Sequence, residues 1–204
     1  RAVREQHPVL LYGDYDVDGT TSVVLLYTAI QLAGGKADFY VPHGLEEGYG
    51  MRSEVVEEAA GKGFRLIVSV DTGIREAAVV RRAAELAVDV IITDHHLPDD
   101  EVPAALAVVN PNQPGCGYPD KGLCGVGVTF KLVQAMLSLL GWPHGRVERL
   151  VGSFLRLAAI GTVADLVPLV GENRVLVKHG LAGLADVRNP GLRALLDVSG
   201  FGAG

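Results

Sequence analysis

The sequence predicts an α/β fold: a five-stranded, mostly parallel sheet with helices on both faces, followed by an all-α C-terminal extension. Short apolar runs alternate with longer stretches of helical spacing along the 204 residues, the pattern of repeated βαβ units. Hydrophobic residues make up 49% of the chain but aromatics only 6%, so the core rests on Val, Leu, Ile and Ala, as in strands buried on both faces.

Each element has its own local signal. Residues 9–13 (Val-Leu-Leu-Tyr-Gly) read as the first strand, and residues 19–32 as a helix brought to an end by Gly34 and Gly35. Residues 37–41 form the second strand. Residues 53–60 read as a short helix with Glu54, Glu57 and Glu58 facing solvent, closed by Gly61 and Gly63. A third strand over 65–70, a helix over 76–87 and a fourth strand over 88–93 follow. A short fifth strand, 106–109, stops at Asn110-Pro111. The Gly-, Pro- and Asn-rich span 110–127 reads as a long surface loop, and 128–140 as a helix that ends at Gly141 and Pro143. Helical spacing at 154–163 and 173–184 places an all-α extension on the sheet. The chain thus divides into an α/β domain over residues 1–140 and a helical extension over 141–204.

Composition narrows the setting. A formal charge of −6 would ordinarily argue against a polyanionic partner, but carboxylates that bind cations lose that meaning, because the ions then set the local field. Two cysteines, Cys116 and Cys124, support neither a disulfide framework nor a four-ligand zinc site, and a reducing cytoplasm suits them. No apolar stretch is long enough for a membrane span, and the first residues lack the features of a signal peptide. The missing initiator Met and the Gly-Phe-Gly-Ala-Gly ending suggest a piece of a longer protein.

Three apolar strands run into acidic or imidazole groups: Asp14 after the first, Asp71 after the third, and Asp94-His95-His96 after the fourth. In open α/β sheets the carboxyl ends of the strands line the ligand crevice. In Asp14-Tyr15-Asp16-Val17-Asp18-Gly19 the acids alternate, and residues two apart in an extended segment share a face. With no Lys or Arg interleaved, such a cluster repels itself unless cations lie between the oxygens. Hard divalent ions choose carboxylates, an added imidazole favours Mn²⁺ over Mg²⁺, and two ions sharing a carboxylate serve in-line displacement at phosphorus. Asp71, central on the sheet edge, is the candidate bridge. Asp165 is an isolated acid in an apolar helical stretch, where an unpaired carboxylate is costly. Spacing alone leaves it open between ligand and structural acid. The run 122–127 lacks the Gly-Lys-Ser/Thr ending of a phosphate loop and fits close helix packing or a backbone contact to substrate.

Asp-Tyr-Asp-Val-Asp-Gly, Ser-Val-Asp-Thr-Gly-Ile, Thr-Asp-His-His and Gly-Thr-Val-Ala-Asp, in this order, resemble the four motifs of the DHH phosphoesterase superfamily, closest to its RecJ branch. Glu46-Glu47-Gly48-Tyr49-Gly50, Asn110-Pro111-Asn112-Gln113 and residues 125–131 add to the likeness, which covers nearly the whole chain. The resemblance implies two divalent cations, Mn²⁺ or Mg²⁺: one on Asp14, Asp16 and Asp71, the other on Asp18, Asp71, His95 and Asp165. It implies catalytic roles for Asp71, Asp94 and His96, with Asp94 orienting the imidazoles and His96 meeting the scissile phosphate. It further implies 5′→3′ hydrolysis of single-stranded DNA to 5′-mononucleotides in recombination and repair. Tyr49, Arg52, Asn112 and Lys131 are candidate strand contacts, and single-strand-binding protein and a helicase are the partners expected of a full-length protein. Gly44 stands where many relatives have Arg, so that phosphate contact is either taken over by Arg52 or absent. The C-terminal substrate domain and the nucleic-acid-binding domains that the resemblance implies are expected outside these 204 residues. Rival readings are a phosphoesterase for short oligonucleotides or (cyclic di)nucleotides, and a non-catalytic replication scaffold; the full ligand set weighs against the scaffold.

Overall fold

A computed structural model describes residues 1–44, 48–187 and 189–201. Glu46 and Glu47, which belong to a stretch quoted above, lie outside the described residues. The order is α1 (Ala2–Glu5), β1 (Pro8–Tyr12), α2 (Val17–Leu32), β2 (Lys36–Tyr40), α3 (Ser53–Gly61), β3 (Leu66–Val70), α4 (Ala77–Glu85), β4 (Asp89–Thr93) and β5 (Ala107–Val109). The helices α5 (Gly125–Leu139), α6 (His144–Ala164), α7 (Gly171–Gly183) and α8 (Pro190–Val198) complete it, with a 3₁₀ turn at Leu184–Asp186.

The five strands form one sheet in the order β2-β1-β3-β4-β5, and all four pairings are parallel. Alternate residues feed two separate cores, as the two-residue period of a strand requires. Val9, Leu11, Val68 and Val70 join Leu25, Leu26, Phe130, Phe154 and Leu176 on one face. Leu10, Tyr12, Ile67, Val90 and Ile92 meet Val55, Val56, Val79, Val80 and Ala83 on the other. That double burial is why the strands read as unbroken apolar runs.

Three expectations need correction. The 110–127 loop is shorter, because α5 begins at Gly125, and Leu123 and Cys124 are buried rather than on the surface. The helix expected at 154–163 starts ten residues earlier, at His144; Val147, Leu150 and Val151 carry the helical spacing of Phe154 back toward its N-terminus and pack on the core, although Gly145 and Gly152 lower the local helix propensity. The extension also packs chiefly on helices, with α6 against α2, α5 and α7, rather than directly on the sheet. Helix α8 has no counterpart among the expected elements, although Asn189 caps it by accepting from Leu192 N at 2.9 Å and Pro190 stands at its first position.

Candidate metal centre

The sheet changes direction between β1 and β3: from β1 the chain crosses to β2 on one side, and then to β3 on the other. Ligand crevices form at such switch points, outside the carboxyl ends of the strands. The register sets the acids level with one another there. Tyr12 pairs with Ser69 and Val70 with Thr93, so Asp14, Asp71 and Asp94 follow at matching depth. The ladder runs on through Asp71 N to Thr93 O at 2.9 Å and Asp94 N to Val109 O at 3.1 Å. Asp71 takes a left-handed conformation (φ 61°), the strained geometry in which β3 hands over to its loop.

Asp16 and Asp18 reach the crevice differently from the extended alternation expected. Helix α2 already begins at Val17, so Asp16 is its N-cap, accepting from Gly19 N at 2.8 Å, and Asp18 lies in the first turn. The turn is so close to β1 that a Cβ at Gly19 would fall 2.6–2.7 Å from the backbone of Asp14. Asp18 is buried, and its two oxygens accept from Gly125 N (2.6 Å) and Val126 N (2.8 Å) at the N-terminus of α5, a natural anion seat. Asp165 is not mid-helix but caps the C-terminus of α6, part-buried, before a left-handed turn at Leu166.

The described residues give three sets of groups, each with ligand atoms within 4.8 Å of one another: Asp14, Asp16 and Asp71; Asp18, His95 and Asp165; and Asp71, His95 and His96. Nε2 of His95 lies 3.2 Å from Asp71 Oδ1 and 3.8 Å from both Asp18 Oδ2 and Asp165 Oδ2. Asp71 Oδ1 and His95 Nε2 are buried with no hydrogen-bond partner among the described residues. Buried polar atoms are normally satisfied, and a divalent cation would satisfy both of these, so the residues present fit the expected ions.

Electrostatics agree. Burial raises the carboxyl of Asp71 far above its ordinary range, reinforced by Asp18, Asp16, Asp94 and Asp14. Burial also raises Asp18 to about 6, against the pull of the α5 amides and with a push from Asp165, and it lifts Asp14 and Asp165. His95 is depressed to about 4 by burial and by His96, which keeps it neutral and able to ligate.

Asp94 holds the other imidazole. Its Oδ1 lies 2.7 Å from His96 Nδ1 and accepts from the backbone of His95 (2.7 Å) and His96 (3.1 Å), while Oδ2 accepts from Ile74 N at 2.9 Å. Burial works against the Asp94 anion, but the His96 contact and these amides more than offset it and keep its pKa low. The same contact raises His96. Asp94 therefore positions one imidazole rather than both: its side-chain bond is to the His96 ring, and it touches His95 through the backbone.

The candidate strand contacts divide. The hydroxyl of Tyr49 lies 2.9 Å from His96 Nε2 with the rings edge to face, so it stands at the centre itself. Asn112 is committed to the protein, its Nδ2 donating to His95 O at 2.6 Å. Asn110, which sequence reasoning reads only as a strand stop, donates to His96 O at 2.9 Å and accepts from Asn112 N at 2.7 Å. The two asparagines clamp the His95-His96 backbone. Lys131 pairs with Glu172 at 3.0 Å. Arg52 occupies the N-cap position of α3 without a capping side-chain bond, its Nε 3.5 Å from Glu54 Oε2. At Gly44 a Cβ would meet the ring of Tyr15, so an aromatic fills the space next to that position.

Residues 8–162 match the DHH family, N-terminal domain. The single-stranded-DNA-specific exonuclease RecJ of Bacillus subtilis (strain 168) is 44% identical over 200 residues, covering 98% of this chain and 24% of the relative. A crystal structure of exonuclease RecJ bound to manganese matches with a TM-score of 0.87 at 38% identity, over 98% of this chain and 49% of that one. A crystal structure of RecJ from Thermus thermophilus in complex with Mn²⁺ matches with a TM-score of 0.81 at 34% identity, over 98% and 28%. The chain thus spans about a quarter of the curated relative and half or less of the solved chains.

Proposed function

This chain belongs to the DHH family, and from that premise we propose that it is the catalytic core of a metal-dependent exonuclease that degrades single-stranded DNA from the 5′ end to 5′-mononucleotides. The observation that carries the reading is the sharing of Asp71 and His95 among the ligand sets, with Asp71 Oδ1 and His95 Nε2 buried and unsatisfied. Asp14, Asp16 and Asp71 would hold one divalent cation, and Asp18, Asp71, His95 and Asp165 the second. When bound, Mn²⁺ or Mg²⁺ supplies Lewis-acid stabilisation of the oxygens exchanged at phosphorus.

The remaining work falls to placement and proton control by the chain itself. Asp94 fixes a proton on Nδ1 of His96 and so turns Nε2 toward the phosphate. The Asp94 carboxylate also favours the imidazolium, whose Nε2–H would donate to a phosphate oxygen that gains charge in the transition state. The Tyr49 hydroxyl occupies that partner position at 2.9 Å and would yield it to the phosphate. Asn110 and Asn112 keep the His-His backbone in register with β4. Residues 1–140 form the catalytic domain in this reading, and 141–204 complete the site through Asp165.

The named relatives support single-stranded DNA as the substrate class. A role in recombination and repair, a cytoplasmic setting, and single-strand-binding protein and a helicase as partners of a full-length protein follow from the family resemblance. No helix among the described residues is long and apolar enough to cross a membrane. The test compares kcat/KM with Mn²⁺ on a 5′-phosphorylated single strand, its duplex and a dinucleotide. The single strand is expected to lead both by at least about tenfold, with 5′-mononucleotides as product. Preference for the dinucleotide would make the chain a small-molecule phosphoesterase.

A further inference from the structure

We infer that Arg75 is a phosphate-binding residue: it takes a phosphate of the DNA strand other than the one being cleaved, next to His96. The inference rests on the nuclease reading above.

Arg75 belongs to the loop that joins Asp71 to α4, and this loop is rigid. Residues 71–74 are buried, Ser69 Oγ donates to Thr72 O at 2.8 Å, and Ile74 N donates to Asp94 Oδ2 at 2.9 Å. Arg75 is the point at which the loop emerges, its side chain half exposed. Its Nε donates to the carbonyl of Leu97 at 2.9 Å, the residue directly after His96. The loop on the Asp71 side and the turn on the His96 side are therefore tied together twice, once by Ile74 to Asp94 and once by Arg75 to Leu97.

That tether uses one donor of five. The terminal amino groups of Arg75 make no hydrogen bond among the described residues, and its nearest acid, Asp99, is 3.7 Å from Nε and largely exposed, a weak and screened partner. What remains is a planar two-pronged donor, already immobilised at Nε, which suits two oxygens of one phosphate and loses little freedom on binding it. The charge acts on the His96 imidazole itself.

The test is Arg75→Gln, which keeps a donor for the Leu97 carbonyl but removes the charge and the fork, with Arg75→Lys as the charge-retaining control. With Mn²⁺ and a short single strand, Arg75→Gln is expected to raise KM roughly tenfold with kcat within about twofold, and Arg75→Lys to recover part of the loss. The slope of log(kcat/KM) against log[salt] should flatten by about 0.7, the value of one phosphate contact on a single strand. Strands with and without a 5′-phosphate decide between a terminal and an internal phosphate; a KM effect confined to the phosphorylated strand assigns the terminal one.

An unchanged KM and salt slope in Arg75→Gln, with a wild type active on DNA, would overturn the assignment and leave the nuclease reading standing. A fall in kcat alone would also overturn it, by making Arg75 a tether for His96 and nothing more. A wild type that binds Mn²⁺ but prefers a dinucleotide to the strand would remove the nuclease reading, and this inference with it.

Discussion

Asp71→Asn is expected to abolish Mn²⁺-dependent hydrolysis, by at least about a thousandfold, while leaving the metal-free protein as stable as the wild type or more so. The thousandfold corresponds to about 4 kcal/mol of lost transition-state stabilisation, within reach of a carboxylate that would be shared by both ions. Stability moves the other way. Asp71 is 1% exposed and surrounded by Asp14, Asp16, Asp18 and Asp94, so without metal its carboxyl must be protonated on folding, a cost at neutral pH that asparagine of the same shape avoids. Thermal melts separate the two effects. In the wild type, Mn²⁺ at a hundred times its Kd adds about 2.7 kcal/mol per site, roughly 5–10 °C for a chain of this length. In Asp71→Asn the added metal should move Tm by less than about 2 °C. A variant that keeps the wild-type rate would show that Asp71 bridges nothing.

Gly125→Ala is the second large effect, and here packing and propensity oppose each other. Alanine favours a helix over glycine by about 1 kcal/mol, so propensity alone predicts a more stable α5. Yet a Cβ at Gly125 would overlap the Asp71 carboxylate, which is buried, and the Asp71 Cβ, which the backbone fixes in place. Overpacking of this kind costs about 1–3 kcal/mol, and the shift it forces passes to Asp71 and to Asp18, held by Gly125 N at 2.6 Å. Activity is expected to fall about a hundredfold, the scale of a misplacement of about 1 Å, and Mn²⁺ affinity with it. Unchanged kinetics and a higher Tm would mean that the α5 N-terminus has room the structure does not show.

The strands and their terminal acids are legible in the sequence because both signals are local: an apolar run marks a strand buried on two faces, and an acid at its end breaks the run. The motif 14–19 shows where such reading stops. Its residues do meet at one place, but by a strand, a cap and a first helical turn rather than by extended alternation. Gly19 and Gly125 are visible as glycines, whereas the close approaches that require them depend on the folded backbone, and for Gly125 they join segments far apart in the chain. Asn112 and Lys131 show the same limit. Their polar heads look available for a strand, and the fold spends them on His95 O, 17 residues away, and on Glu172, 41 residues away. Arg75 escapes notice because its surroundings are made by Leu97 and His96, not by its neighbours in sequence.

The most direct measurement is a calorimetric titration of the chain with Mn²⁺ at neutral pH, repeated with Asp71→Asn. Two ions per chain in the wild type, and one weakly held ion or none in the variant, is the predicted result. No binding by the wild type, or the same stoichiometry and affinity in both proteins, would contradict a centre built around Asp71.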